Sequence, residues 1–231
     1  MVVFAAALAL SGDVFDPSQG PRKAVTWIYQ IEVKGVTDAG TDEMRTQRRV
    51  RVSAVHPDGS CQVLSRSLGG YSIVGGQRVE LKPATTDRVI AYGPTGRAIP
   101  PEQPVVDTDP FSRVLTSVTW LELPDRAVKV GARFGAVLNS NHGFGTNDAT
   151  LVYDVLRAER WEGQDALRIR FSYREKRTPV VFDGFWIVRT SDGAALAMRA
   201  TGENVTVRRD APPNRVTIAM TLLSERPYKE G

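Results

Sequence analysis

The sequence predicts an all-β protein, an antiparallel sandwich or half-barrel with one short helix near residues 110–119. Three observations carry this: period-two alternation dominates the readable segments, glycine-centred turn signals separate them, and only one stretch has helical spacing. In 25–36, Trp27, Tyr29, Ile31 and Val33 share one face, while Thr26, Gln30, Glu32 and Lys34 fall mostly on the other, as a strand with one wet side requires. In 165–176, Leu167, Ile169, Phe171 and Tyr173 point one way and Arg168, Arg170, Arg174 and Lys176 the other; Val216, Ile218, Met220 and Leu222 repeat the pattern in the last strand. A one-residue slip would bury the arginines, so the register is strongly specified.

Hairpin connections are expected at Pro57-Asp58-Gly59-Ser60, Gly93-Pro94-Thr95-Gly96, Trp161-Glu162-Gly163-Gln164 and Ser191-Asp192-Gly193-Ala194, where glycine supplies positive φ. Gly59 and Gly163 lie 104 positions apart, and Gly93 and Gly193 lie 100 apart, which leaves open two similar lobes descended from one meander. Gly69-Gly70 and Gly75-Gly76 bracket Tyr71-Ser72-Ile73-Val74 and read as flexible hairpin ends. The proline-dense stretch from Pro100 to Pro104 breaks strands. After it, Asp109 suits a helix N-cap and Pro110 the first helical position, and Phe111, Val114, Leu115 and Val118 follow at i, i+3, i+4 and i+7. The β-branched Thr116, Val118 and Thr119 weaken the last turn. The expected organisation is a leader remnant at 1–12, a first β lobe at 13–105, and a helix with a second β lobe at 106–231, with one shared core left open.

The chain of 231 residues, 42% hydrophobic and 24% charged, can bury a real core, which excludes disordered, collagen-like and disulfide-framework classes. A single cysteine, Cys61, and two histidines, His56 and His142, exclude a Cys/His zinc cage. Residues 160–231 hold 13 basic and 9 acidic side chains and account for the net charge of +4, an excess too mild for a nucleic-acid binder. Residues 1–10 are wholly apolar and end near Ala7-Leu8-Ala9, and read either as a secretory leader lacking its positive start or as a short apolar first strand. The run is too short for a bilayer, which takes about 20 apolar residues. Ser11, Gly12 and Asp13 stand where a lipid-anchored chain would need cysteine. A periplasmic or extracellular protein without a transmembrane segment is expected.

Leu123-Pro124, then Val128-Lys129-Val130-Gly131, then an aromatic strand from Arg133-Phe134 and a later glycine-centred hairpin, resemble a group of uncharacterised, predicted secreted β-rich bacterial proteins with a domain of unknown function. The similarity spans about residues 120–200. It implies an exported β fold and transfers no catalytic motif.

No G-x-S-x-G elbow, Walker loop or dinucleotide fingerprint occurs. His56 sits at a turn. His142 and Asn141 lie in the polar, glycine-rich loop Asn139–Asp148, whose residues either bind a sugar or an oxygen-ligated cation or simply make turns. Asp148, Asp154 and Asp183 are scattered candidates for the paired carboxylates of a glycoside hydrolase. Arg168, Arg170, Arg174 and Lys176, extended by Arg177, space positive groups about 7 Å apart, suiting an anionic polymer or lipid headgroups. Phe171 and Tyr173 fall on the opposite face, so stacking with a nucleic acid is not expected. Trp27, Tyr29, Phe185 and Trp186 are either core or the lining of an apolar cavity between a curved sheet and the helix. No metal or cofactor is expected. The resulting reading is a non-catalytic exported binding or scaffold module of the cell envelope; the alternative is a carrier of an apolar ligand or lipid, and a hydrolase ranks below both.

Overall fold

The alternation becomes, in the computed structural model, one antiparallel sheet of twelve strands and not two stacked sheets. The structure describes residues 14–15, 24–37, 40–93, 98–101, 109–121, 127–143, 145–207, 212 and 214–227. The leader-like run 1–10, most of the Gly93–Gly96 turn, the lobe boundary near 105 and Leu123-Pro124 lie outside them.

The strands are β1 (Val14–Phe15), β2 (Val25–Thr37), β3 (Gly40–Val55), β4 (Cys61–Val74), β5 (Gln77–Leu81), β6 (Arg88–Tyr92) and β7 (Ala98–Ile99), then helix α1 (Pro110–Val118). After the helix come β8 (Val128–Lys129), β9 (Arg133–Leu138), β10 (Ala149–Trp161), β11 (Gln164–Glu175), β12 (Val181–Arg189), β13 (Ala195–Val205) and β14 (Asn214–Pro227). The sheet runs β7-β6-β4-β3-β2-β14-β13-β12-β11-β10-β9, with β5 sharing the free edge of β4 with β6; β1 and β8 pair separately. Over the described residues the fold is an open, all-β half-barrel with a single short α-helix.

Inner positions of the long strands are sealed as the alternation requires. Leu167, Ile169, Phe171, Tyr173, Ile31 and Val216 are fully buried, and Val33 and Ile218 almost so. At the β10–β11 hairpin, Glu162 and Gly163 both take positive φ, 48° and 82°, directly between the paired Trp161 and Gln164, the geometry of a tight primed turn. Gly75-Gly76 does form the β4–β5 turn, but Gly69-Gly70 lies inside β4. There φ reaches +89° and +154°, and the register against β3 shifts by one residue. A Cβ on Gly70 would meet the Arg45 carbonyl oxygen at 2.0 Å. This glycine pair is therefore a bend with close strand approach and not a hairpin end.

The helix starts as its sequence dictates: the Asp109 carboxylate accepts from the Ser112 N–H at 2.8 Å, and Pro110 occupies the first turn. Phe111, Val114, Leu115 and Val118 join the core formed by the sheet's inner face. Polar groups then fix the helix end. Buried Ser117 accepts from the Asn147 N–H at 2.9 Å through its hydroxyl, which donates to the Arg113 carbonyl. The Tyr153 hydroxyl donates to the Trp120 carbonyl, and Glu175 accepts from both Asn147 Nδ2 and the Tyr173 hydroxyl. Because Tyr153 and Tyr173 are inner-face residues of β10 and β11, α1 is tied to the inner side of that end of the sheet.

At the other end, Asp87 gathers three arginines of β3 and β4: Arg66 at 2.9 Å, Arg49 at 3.6 Å, and Arg51. Desolvation pushes its carboxyl up, but the hydrogen bond from Arg66 and the charges of Arg51 and Arg49 outweigh this and hold it below the ordinary range.

Three outcomes follow. Phe182 lies opposite Gly202 with its ring 2.3 Å from where a Cβ would stand. Since Phe182 is fully buried, Gly202→Ala should cost about 1–3 kcal/mol in urea unfolding. Ser117→Ala strands the Asn147 N–H and should cost about 1–3 kcal/mol by the same assay. A depressed carboxylate contributes stability above the unfolded pKa of about 3.9 and loses it as pH falls through the folded value. Asp87→Asn should therefore lower Tm at pH 7, with the gap to the parent closing on acidification; a gap independent of pH would contradict the charge-based account.

Candidate functional site

Register across the sheet shows where the inner face changes character. The row Val155, Ile169, Trp186, Met198, Met220, Ile31 is apolar, but it continues through Thr46 on β3 to Gly70 on β4. The next rows read Tyr29, Arg48, Ser67 and then Trp27, Val50, Ser65, Arg88. Trp27 and Tyr29 are each 6% exposed, whereas Met44, Arg48, Val50, Val63 and Ile90 on the same face are half-buried. The inner face is thus sealed from β9 to β2 and at Val52 of β3, and partly open over the rest of β3, β4 and β6.

Trp27, Tyr29 and Trp186 all belong to the buried inner face. The indole N–H groups of Trp27 and Trp186 are buried with no hydrogen-bond partner among the described residues, although buried indoles usually find one. Burial, and then the charge of Asp192, pushes the Tyr29 hydroxyl far up. Phe185 is not with them. Adjacent strand residues alternate, so it stands on the outer face opposite Arg170, with the Arg168 guanidinium 4.4 Å from its ring centroid.

The basic ladder is on the outer face and is interleaved with acids from neighbouring strands. Arg168 makes two bonds to Glu159, at 3.0 and 2.9 Å; Arg170 meets Asp154 at 2.9 Å; Arg174 meets Asp183 at 2.9 Å. Arg177 lies 3.6 Å from Asp148, and Lys176 is exposed. Asn141 and His142 are exposed on a short 3-10 turn. Next to that turn, the Asp148 carboxylate accepts from the Ser140 N–H at 2.7 Å, which is the first cause holding Asp148 below the ordinary range. Among the described residues, no group of three or more His, Cys, Asp or Glu side chains stands ready to hold a metal ion.

The residue that sequence reasoning passed over is Arg48. Arginines occupy both phases of β3, with Arg45, Arg49 and Arg51 on the outer face, so the run hides the one that turns inward. Burial, and then the positive charge of Arg88, push the Arg48 guanidinium down to about 10. Among the described residues, no carboxylate forms an ion pair with it. The signal available in the sequence was its phase: Arg48 shares parity with Met44, Val50 and Val52.

No family model matches the chain, and no curated protein matches it. Among solved structures it is similar to a putative outer membrane lipoprotein-sorting protein domain from Vibrio parahaemolyticus, at 10% identity and TM-score 0.24, over 91% of this chain and 88% of that one. It is also similar to a LolA-superfamily protein from Nitrosomonas europaea, at 10% identity and TM-score 0.24, over 94% and 91% of the two chains. A DUF1329-family protein from Desulfovibrio piger aligns at 9% identity and TM-score 0.23, over 87% and 85%. The resemblance to these bacterial proteins is weak, although it extends over most of each chain.

Proposed function

We propose that the protein is a non-catalytic carrier that holds an apolar or amphipathic ligand against the partly open half of its inner face. The observation behind this reading is the division of a single face. Helix α1 and the β9–β14 core seal one half, and the same face continues over Met44, Val50, Val63 and Ile90, which are only half-buried. A curved sheet covered on part of its inner side is a shape that receives ligands, since such sites are concave and mostly apolar. The buried indole N–H of Trp27, which has no hydrogen-bond partner among the described residues, borders that region, in register with Val50. The pairing of Arg168, Arg170 and Arg174 with acids argues against the outer ladder as the main recognition surface. The apolar, leader-like residues 1–10 support placing this carrier outside the cytoplasm, and no described helix is long and apolar enough to cross a membrane.

The test is uptake of a neutral single-chain lipid, 1-palmitoylglycerol, by detergent-free protein, followed by native mass spectrometry and tryptophan fluorescence. A one-to-one adduct and a change in indole emission are expected. Val50→Asp, which places a charge on the apolar floor, should weaken binding by at least about tenfold while α1 and its anchoring bonds persist. A bare mass and unchanged emission at saturating lipid would reject the carrier reading in favour of a ligand-free scaffold.

A further inference from the structure

An indole N–H donates one hydrogen bond and the ring accepts none, so a buried tryptophan is satisfied only where an acceptor comes to it. Trp27 of β2 and Trp186 of β12 both bury that N–H on the inner face with no hydrogen-bond partner among the described residues. Their settings differ. Trp186 stands in the sealed half, opposite Ile169 on one side and Met198 on the other, with the Phe171 ring centroid 6.1 Å from its own. Trp27 stands at the border, opposite Val50 of β3, which is only half-buried, in the row that continues to Ser65 of β4.

The acceptor that register places beside Trp27 is engaged elsewhere: Glu225 of β14 lies opposite it across the seam, and its carboxylate accepts from Arg189 at 2.7 Å. Val25 and Val52, the neighbours at the end of this face, are buried and apolar. A buried donor left unmet is unfavourable, and a group that brings it an acceptor gains affinity by the same amount. A neutral carbonyl makes that bond without the desolvation cost that a charged head would meet beside valines. The half-buried Val50 marks the side from which such a group enters.

We propose that Trp27 is the hydrogen-bond donor that recognises the cargo, so that the carried molecule is an acyl ester whose carbonyl oxygen accepts from the Trp27 indole N–H. The acyl chain runs over Val50, Val63 and Ile90 while the carbonyl sits at the border of the sealed half. This proposal rests on the carrier reading and adds the functional group by which the cargo is held. Trp186 takes no part, because the residues of β11 and β13 close over it, and it serves as an internal reference for an unbonded indole.

The test compares two probes on the full chain by titration calorimetry: 1-palmitoylglycerol and 1-O-hexadecylglycerol, which share head and chain length and differ in the ester carbonyl. The ester should bind at least about fivefold more tightly than the ether, the scale of one neutral hydrogen bond. In proton–nitrogen spectra of protein labelled at the indole nitrogens, the Trp27 peak should move downfield with the ester, as a newly bonded proton does, while the Trp186 peak stays in place. Trp27→Phe keeps an aromatic ring and removes the N–H, and it should bring the two probes to equal affinity. Trp161→Phe, at the β10–β11 hairpin, should leave the preference for the ester intact.

If neither probe binds, the carrier reading falls, and this proposal with it. Equal binding of ester and ether by the parent chain keeps the carrier and overturns the carbonyl bond. A preference for the ester that survives in Trp27→Phe belongs to another donor and overturns the assignment of Trp27. Should Trp27→Phe fail to fold, the parent spectrum decides alone: with the Trp27 peak assigned through its proximity to Val50, downfield movement on adding the ester supports the proposal and an unmoved peak in the ester-bound protein overturns it.

Discussion

The pairing of β2 with β14 is the constraint on which the rest of the molecule depends. Its register runs from Arg215 opposite Val36 to Pro227 opposite Val25, and it joins the strands that precede the helix to those that follow it. Without it the sheet would end at β2 on one side and at β14 on the other. Each piece would then expose a long edge as well as an apolar face. The seam also aligns Met220 with Ile31 and Ile218 with Val33, so the apolar rows of the second half extend into the first up to the register shift between Leu222 and Ser224. The contrast between sealed and open halves exists only because this one face is continuous.

Outside that face, the arginine-rich composition is largely absorbed by pairing. Glu159, Asp154 and Asp183 each take an arginine from the strand alongside, and Asp87 takes three. Such exposed pairs add little stability individually. They do make a misregistered sheet costly, because a slip would carry several guanidinium groups into the core. Arg48 departs from this pattern, since it faces inward, where burial and then the charge of Arg88 lower its guanidinium pKa.

Most of the fold was legible because it rests on local pattern. The inner rows of β2, β11 and β14 follow from alternation, and α1 follows from Asp109, Pro110 and an apolar stripe; the structure ends it at Val118. Strand order was not legible, because nothing local in Val25–Thr37 names a partner almost 200 positions away. Gly69-Gly70 misled because paired glycines signal a turn and a bend equally well. Phe185 was grouped with Trp186 by type although parity separates them. Arg48 escaped notice because burial of a charge is a property of the assembled sheet, and the surrounding arginines made it look like one more solvated residue.

The seam has a further consequence for how the protein is made. A ribosome delivers β2 well before β14, because the paired Val36 and Arg215 lie 179 positions apart along the chain. Until β14 emerges, Trp27, Tyr29 and Ile31 have a partner on only one flank, β3. Domains tend to fold as units during synthesis, but this sheet cannot close across its seam until β14 has been made. During that interval β2 presents an unpaired edge beside an apolar face, the arrangement from which strands pair with the wrong neighbour.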